Sequence, residues 1–469
     1  MSEECFRDHC GVFGIYSKEE DSLPKSIYLG LFALQHRGQE SAGMALSNGE
    51  SITLHKGLGL VNVVFSEQKL SELKGRIALG HVRYSTAGGS GNVENAQPIV
   101  VESKFGPLAV AHNGNLLNYR PLRQQLLDQG YVFKGDSDTE VIAAMLAVSQ
   151  EATLEKAIEI IAKKIRGAFA IGILTKDKLI GLRDPHGIRP LCVGKTKDRY
   201  VISSETCALD IVGASLLRDI GAGEMVIIDE NGLSSKTYSQ EMEHECLCVF
   251  EFIYFARPDS IIDGRSLYQS RVTMGKYLAK EYPAKADMVI AMPDSGTPAA
   301  IGFAAESGIP YGEGLIKNRY VGRTFIQPEQ AIRELGVKMK LNPIRDNIHG
   351  KKIVLVDDSI VRGTTSRKIV KLLKEYGARE VHMRVSSPPI THPCFYGIDT
   401  PSRSELIAAN LSIEGIRKYM DADSLGYLSL KGLVKAIGLP KDSHCLACLN
   451  GDYPVRVPEE MESLKFFQD

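Results

Sequence analysis

The chain has 469 residues, with 56 Lys and Arg against 57 Asp and Glu and a formal net charge of −1. That length allows two or three domains with sizeable cores, and so even a charge balance argues against a nucleic-acid surface or an acidic tail. No apolar run approaches a membrane span, and Met1-Ser-Glu-Glu-Cys-Phe-Arg-Asp-His9 has no apolar centre, so it is not a secretory signal; the cytoplasm is expected, with neither membrane nor nucleic acid as partner.

Nine cysteines, an odd number scattered singly apart from two close clusters, do not make the disulfide framework of a small secreted domain. Reduced thiols are expected, some of them recruited for chemistry.

After the acidic start, Cys10-Gly11-Val12-Phe13-Gly14-Ile15 turns abruptly strand-like. A lone Cys at a strand start is ordinarily a small buried hydrophobe. Here it is followed by polar clusters set among apolar residues: Gln35-His36-Arg37-Gly38-Gln39-Glu40-Ser41-Ala42-Gly43, Gly80-His81-Val82-Arg83-Tyr84-Ser85-Thr86, Ala111-His112-Asn113-Gly114-Asn115 and Ser137-Asp138-Thr139-Glu140. Helical periodicity appears at Ser26–Leu34, Leu117–Gln129, Glu140–Val148 and Leu154–Ile165. Strand-like runs recur at Leu108–Ala111, Ala168–Leu174, Tyr200–Ser203 and Glu224–Ile228, and Asn231-Gly232 signals a type I′ hairpin.

Taken together, the four clusters around Cys10 resemble the glutaminase domain of the N-terminal-nucleophile (Ntn) amidotransferases, over residues 10 to 235. The resemblance implies an αββα sandwich in residues 10–240 behind a leader peptide, residues 1–9. It makes Cys10 the nucleophile and the Asn113 side chain and Gly114 N–H the oxyanion hole. Arg83 becomes the clamp on the glutamine α-carboxylate and Asp138 the partner of its α-ammonium, with Arg37 and Gly38 lining the pocket. The chemistry agrees. With residues 1–9 removed, Cys10 would carry both a thiol and an α-amino group of pKa near ~8, able to take and return a proton. Oxyanion donors are worth roughly 3–4 kcal/mol of barrier each. Taken singly, Arg37, Arg83 and Asp138 would read as ordinary ion pairs.

The stretch Ser234–His244 is polar and places a domain boundary near residue 240. Beyond it, residues 241–469 alternate: Leu267–Glu281 helical, Met288–Met292 strand, Ala299–Ala305 helical, Ile353–Val356 strand, Ser366–Tyr376 helical, Val381–Val385 strand. That alternation predicts βαβ units and a parallel sheet. Asp294-Ser295-Gly296-Thr297, at a strand end and opening a helix, suits a pyrophosphate, with a plain helix cap as the alternative. Lys317, Arg319 and Arg323 begin a basic, glycine-punctuated connection too long to be inert and are candidates for cationic contacts to a diphosphate.

Ile353–Val356 is a continuous β-branched and aliphatic run, hence a strand buried on both faces. It runs directly into Asp357-Asp358-Ser359-Ile360-Val361-Arg362-Gly363-Thr364-Thr365-Ser366, and Ile369 to Leu373 carries a helical period. Ligands of open α/β sheets bind beyond strand ends. There, paired carboxylates can accept from vicinal ribose hydroxyls while the hydroxyl-rich loop takes a 5′-phosphate. The stretch lacks both the Lys of G-x-x-x-x-G-K-[ST] and the spacing of G-x-G-x-x-G. It resembles the phosphoribosyl-diphosphate (PRPP) loop of type I phosphoribosyltransferases, which implies a doubly wound parallel sheet and Mg²⁺ held by Ser295, Asp357 and Asp358.

Four of the other cysteines form a possible set: Cys248, Cys394, and the pair in Cys445-Leu-Ala-Cys448. Four thiolates from distant parts of the chain would make an S₄ site for zinc or for a [4Fe–4S] centre, and geometry alone does not separate the two. Cys5, Cys192, Cys207 and Cys246 read as ordinary thiols. With its leader and these four cysteines, the chain resembles the bacillus-type members of the glutamine PRPP amidotransferase family. That resemblance implies a [4Fe–4S] cluster as a structural clip, a homotetramer, and feedback inhibition by purine nucleotides. The expected activity is glutamine-dependent amidation of PRPP to 5-phosphoribosylamine, the first committed step of purine synthesis. A PRPP-sensing regulator without catalysis is the competing class. A sugar-isomerase amidotransferase would need repeats in the second half that the sequence lacks.

Overall fold

The computed structural model describes residues 10–18, 23–84, 91–239, 245–318, 341–398, 400, 402–459 and 461. The expected leader and the candidates Arg319 and Arg323 lie outside the described residues.

The first half is built on two antiparallel sheets. One has the order β11-β9-β10-β1-β4-β2-β3, with β1 Gly11–Ser17, β2 Ser41–Ser47, β3 Ile52–Leu58, β4 Ile77–Arg83, β9 Cys192–Lys195, β10 Arg199–Ser203 and β11 Ser215–Asp219. The other has the order β13-β12-β8-β7-β6-β5, with β5 Ile99–Ser103, β6 Gly106–Leu116, β7 Gly167–Leu174, β8 Leu179–Arg183, β12 Glu224–Asp229 and β13 Gly232–Thr237. Strand periodicity sorts the side chains into layers. In β1, Val12 and Tyr16 face the opposite sheet while Phe13 and Ile15 face a helix; in β7, Ala170 and Leu174 face the sheet and Phe169, Ile171 and Ile173 face helices. The helix Leu23–Ala33 covers the first sheet, and Tyr119–Asp128, Asp138–Val148 and Leu154–Lys164 cover the second. Helix, sheet, sheet and helix are the expected αββα layers.

One turn differs from expectation. β12 and β13 pair as a hairpin with Asp229 opposite Gly232, but positive φ occurs at Gly232 (+106°), and neither Glu230 nor Asn231 is among the described non-glycine residues with positive φ. A type I′ turn needs φ > 0 at both central residues. The glycine therefore relieves the chain just after the loop, and Asn231 instead bonds its N–H to the Asp229 carboxylate at 2.8 Å.

In the second half, strands Met288–Ala291, Lys352–Asp357, Glu380–Val385 and Ser424–Tyr427 form a parallel sheet in that order. Ile353 and Leu355 point to one face, under the helices Thr364–Glu375 and Ile413–Met420. Val354 and Val356 point to the other, under Leu267–Glu281 and Thr297–Ser307. The strand preceding the two aspartates is thus buried on both sides, as its unbroken apolar run requires. A single turn of π-helix at Glu251–Phe255, which sequence pattern did not foresee, joins the halves. Among the described residues no helix is long and apolar enough to cross a membrane.

Candidate active sites

Register places the first site. Gly11 lies opposite Val82, so Cys10 stands beside Arg83 at the end of the first sheet. The Cys10 thiol is buried and lies 3.5 Å from the Tyr84 carbonyl. Burial pushes it up to about 11, against the pull of that hydrogen bond and of Arg83. At neutral pH it is a thiol.

Facing it from the second sheet is Asn113 on β6, fully buried, with neither its Nδ2 nor its Oδ1 hydrogen-bonded. A buried unmet amide costs about 1–3 kcal/mol, so this side chain has donor and acceptor capacity to offer a ligand. Gly114 has φ +148°, and a Cβ there would lie 1.9 Å from the Ala168 carbonyl oxygen, so only glycine fits the backbone. Asp138 opens the helix Asp138–Val148, capped by Ser137, and accepts from the Leu116 N–H at 3.0 Å. Burial raises its carboxyl, but His112, 3.6 Å away, together with the Leu116 N–H and Arg83, outweighs burial and holds it below its ordinary value. It stays anionic.

Arg83 is buried with its Nη1 on Glu40. Gly38 permits the loop before β2 to lie on the backbone of Arg83, where a Cβ would come within 2.6 Å of its nitrogen. Arg37 does something other than line a pocket. Its Nε donates to the Cys10 carbonyl at 3.2 Å, while Nη1 and Nη2 clasp Glu251 at 3.0 and 2.8 Å and Nη1 also reaches Glu205. Its guanidinium is occupied behind Cys10.

At the second site Asp357 and Asp358 end the buried strand, and both carboxyls are buried. Asp357 is raised well above the ordinary range by burial and by Asp358, while Asp358 is raised by burial despite hydrogen bonds from Ser295 and Ser359 and the charge of Arg271. Two buried carboxylates with one nearby guanidinium are short of positive charge. They suit a divalent cation and ribose hydroxyls. Ser359 Oγ lies 2.6 Å from Asp358 Oδ1. Gly363, at φ +77°, turns the chain into the helix Thr364–Glu375, so Thr364 and Thr365 occupy its first turn, where N–H groups lack helical partners. Arg362 is engaged with Glu405. Lys317 and Asp294 pair at 2.8 Å and are both more than half exposed, a contact worth at most about 1 kcal/mol and readily exchanged for a ligand. They line a cavity of about 920 Å³ with Pro293, Thr297, Tyr311 and Asn342.

The four cysteines converge. Leu247–Cys248 pairs in parallel with His444–Cys445, placing Cys248 opposite Cys445, and the Thr391 and His392 N–H groups bond the Cys448 carbonyl, which brings up Cys394. All four are buried. Burial and mutual repulsion push Cys445 and Cys448 well above the ordinary thiol range and Cys248 to about 11. A metal centre binding thiolates would relieve that repulsion, so the donor set fits one. Among the described residues no three His, Cys, Asp or Glu side chains stand ready-made for a single metal ion.

Sequence reasoning missed Glu205, Glu251, Arg189 and Arg271. One signal was available: Glu251 is the sole charge in the apolar run Cys246–Ala256, and a charge in such a run must be paired.

Comparison with known proteins follows the same division. Residues 81–210 match a glutamine amidotransferase domain and residues 266–387 a phosphoribosyl transferase domain. An amidophosphoribosyltransferase from Synechocystis is 54% identical over 462 residues, covering 97% of this chain and 93% of that protein. One from Bacillus subtilis is 51% identical over 458 residues, covering 97% and 95%. The solved structure of the B. subtilis glutamine PRPP amidotransferase complexed with ADP and GMP superimposes with a TM-score of 0.91 at 50% identity, covering 96% of this chain and 98% of that one. With half its residues identical to these proteins along nearly its whole length, the chain belongs to the amidophosphoribosyltransferase family, enzymes of purine biosynthesis that amidate PRPP with nitrogen from glutamine.

Proposed function

We propose that this chain makes 5-phosphoribosylamine from PRPP, releasing glutamate and pyrophosphate, and that its two sites divide the work as follows. Cys10 Sγ attacks the glutamine side-chain amide. The groups acting on that thiol include Arg83, Asp138 and Glu40, and none of the three serves as a base at neutral pH: one is a cation, one is held low, one is paired with Arg83. The α-amino group of Cys10, freed by loss of residues 1–9, takes the thiol proton and passes it to the departing ammonia. Asn113 Nδ2 and the Gly114 N–H receive the oxyanion, and Arg83 and Asp138 hold the glutamine carboxylate and ammonium. Water then cleaves the thioester. The observation that carries this reading is the unpartnered Asn113 amide buried opposite a neutral Cys10 thiol.

At the second site Asp357 and Asp358 hold the ribose hydroxyls, and Ser359, Arg362, Gly363, Thr364 and Thr365 surround the 5′-phosphate. Asp294, Ser295 and Lys317, with Arg319 and Arg323, meet the diphosphate. Ser295, Asp357 and Asp358 would hold Mg²⁺, which supplies charge neutralisation to the leaving pyrophosphate. Ammonia attacks C1. Passage inside the protein keeps it unprotonated. Cys248, Cys394, Cys445 and Cys448 would hold a [4Fe–4S] cluster that clips the C-terminal region to the domain junction; zinc is the alternative occupant, and iron analysis with visible absorbance separates them. The protein works in the cytoplasm as a homotetramer under feedback by purine nucleotides. Exposed Leu29 and Phe32 on the helix Leu23–Ala33, with exposed Val63 on the adjoining short helix Val61–Val64, support self-association.

The test replaces Cys10 with Ala. Glutamine-dependent amidation is expected to vanish and ammonia-dependent amidation to persist; persistence of both would refute the assignment. The mass of the mature N-terminus checks the leader.

A further inference from the structure

Glu251 lies in the second half, yet its carboxylate serves the first. It is fully buried, clasps Arg37 through both oxygens at 2.8 and 3.0 Å, and stands 3.8 Å from Arg189 Nη1. Each arginine then grips a backbone carbonyl next to the proposed chemistry. Arg37 Nε holds the carbonyl of Cys10 at 3.2 Å. Arg189 Nε holds that of Tyr396 at 2.9 Å, and the following residue, Gly397, lies so near Gly114 that a Cβ on it would sit 3.1 Å from the Gly114 carbonyl carbon. β6 is tied to the same segment by Asn115 Nδ2 on the Phe395 carbonyl at 2.8 Å. One carboxylate therefore stands behind the nucleophile on one sheet and the oxyanion donors on the other.

We infer that Glu251 is a positioning residue for glutamine hydrolysis, fixing the separation of Cys10 from Asn113 and Gly114 by way of Arg37 and Arg189. This rests on the roles proposed above for those three residues. The charge matters because charge-assisted, bidentate bonds to guanidinium are short, strong and directional. Glu205 cannot take over, since it already holds His36, Arg37, the Arg257 N–H and Ser260. In Glu251→Gln an amide nitrogen faces a guanidinium, Arg37 shifts toward Glu205, and the Cys10 carbonyl follows. A displacement near 1 Å at reacting atoms can cost about 10²-fold in rate. The glutamine grips, Arg83 and Asp138, are untouched.

The experiment compares Glu251→Gln, Gly397→Ala and Cys10→Ala in the full-length enzyme with glutamine or ammonia as nitrogen source. For Glu251→Gln the glutamine kcat is expected to fall at least about tenfold with KM within about threefold, while ammonia-dependent amidation stays within about twofold. Gly397→Ala, which presses on Gly114 without altering charge, is expected to give the same split. Equal loss with both nitrogen sources marks a general structural role and overturns the inference, as does an unchanged glutamine kcat in a Glu251→Gln enzyme that still uses ammonia. Should Glu251→Gln fail to fold, Gly397→Ala decides, and a wild-type glutamine kcat there overturns it. Glutamine hydrolysis surviving in Cys10→Ala removes the nucleophile assignment as well, so the two failures are distinguishable.

Discussion

At the scale of single residues, the molecule accepts local cost where glutamine hydrolysis is proposed. Asn113 leaves two amide atoms unmet in a fully buried position, and the Cys10 thiol is held neutral by burial. If Asn113 is an oxyanion donor, Asn113→Ala lowers the glutamine kcat by about 10²- to 10³-fold and leaves KM nearly unchanged, because its bond forms only as charge develops. The same change removes an unsatisfied amide, so the thermal midpoint holds or rises. Calorimetry beside steady-state kinetics checks both; a large fall in midpoint with kcat retained would mark Asn113 as structural. Arg83, Asp138, Asn113 and Gly114 are proposed on the family resemblance of the short polar clusters in which they sit. The bonding of Arg37 has no such local signal. Its partners Glu205 and Glu251 are 168 and 214 residues away, and no local pattern announces a bond of that span.

At the scale of elements, the strand Lys352–Asp357 and the helix Thr364–Glu375 explain why the acidic pair can exist at all. The strand is buried on both faces and delivers Asp357 and Asp358 to its end, where burial raises both carboxyls and the neighbouring Asp358 raises Asp357 further. The linkage has a definite sign. A carboxyl raised in the folded state contributes stability that is complete below its unfolded pKa, about 3.9, and is lost as pH rises through the folded value. The metal-free enzyme therefore carries a destabilising pair at neutral pH, and Mg²⁺ with PRPP is expected to raise the thermal midpoint more at pH 7.5 than at pH 5. Asp357→Asn should raise the metal-free midpoint at pH 7.5 and abolish the Mg²⁺ response. A pH-independent Mg²⁺ effect, or a lower midpoint in the variant, would contradict this. The elements themselves were legible wherever burial imposes a period: the helix Leu267–Glu281 matches its expected bounds, and Ile353–Val356 and Val381–Val385 extend by a residue or so. The edge strand Ser424–Tyr427 escaped because Ser-Leu-Gly-Tyr carries no distinctive pattern. The π-turn at Glu251–Phe255 escaped because an apolar run does not specify which helical hydrogen bonds it will make.

At the scale of the whole molecule, the two halves are joined by buried polar contacts as well as by the apolar cluster that Leu117, Ala168 and Ile188 share with the second half. Asn115 reaches Phe395, Arg189 reaches Tyr396, and Glu205 holds the Arg257 N–H and Ser260. The segment making the first two contacts begins at Cys394, whose own N–H is fixed by Thr400 Oγ1 at 2.7 Å. Cys394, one of the proposed cluster ligands, and the residues that touch β6 at Gly114 and Asn115 therefore lie on one short stretch of backbone, residues 394–397. That sharing predicts an order of loss. Replacing Cys394 with Ser should reduce iron content and visible absorbance, loosen this stretch, and reduce glutamine-dependent amidation before ammonia-dependent amidation, because Gly397 touches Gly114 directly while the strand Lys352–Asp357 is also held by a separate cluster on its other face. Metal analysis, absorbance and the ratio of the two activities, followed on one preparation as it warms, check the sequence of events. If the ratio stays constant while both activities decline, the centre acts on the molecule as a whole. If zinc is found in place of iron, the cluster is not what the four thiols hold, although the ratio would still report whether residues 394–397 carry the strain to Gly114.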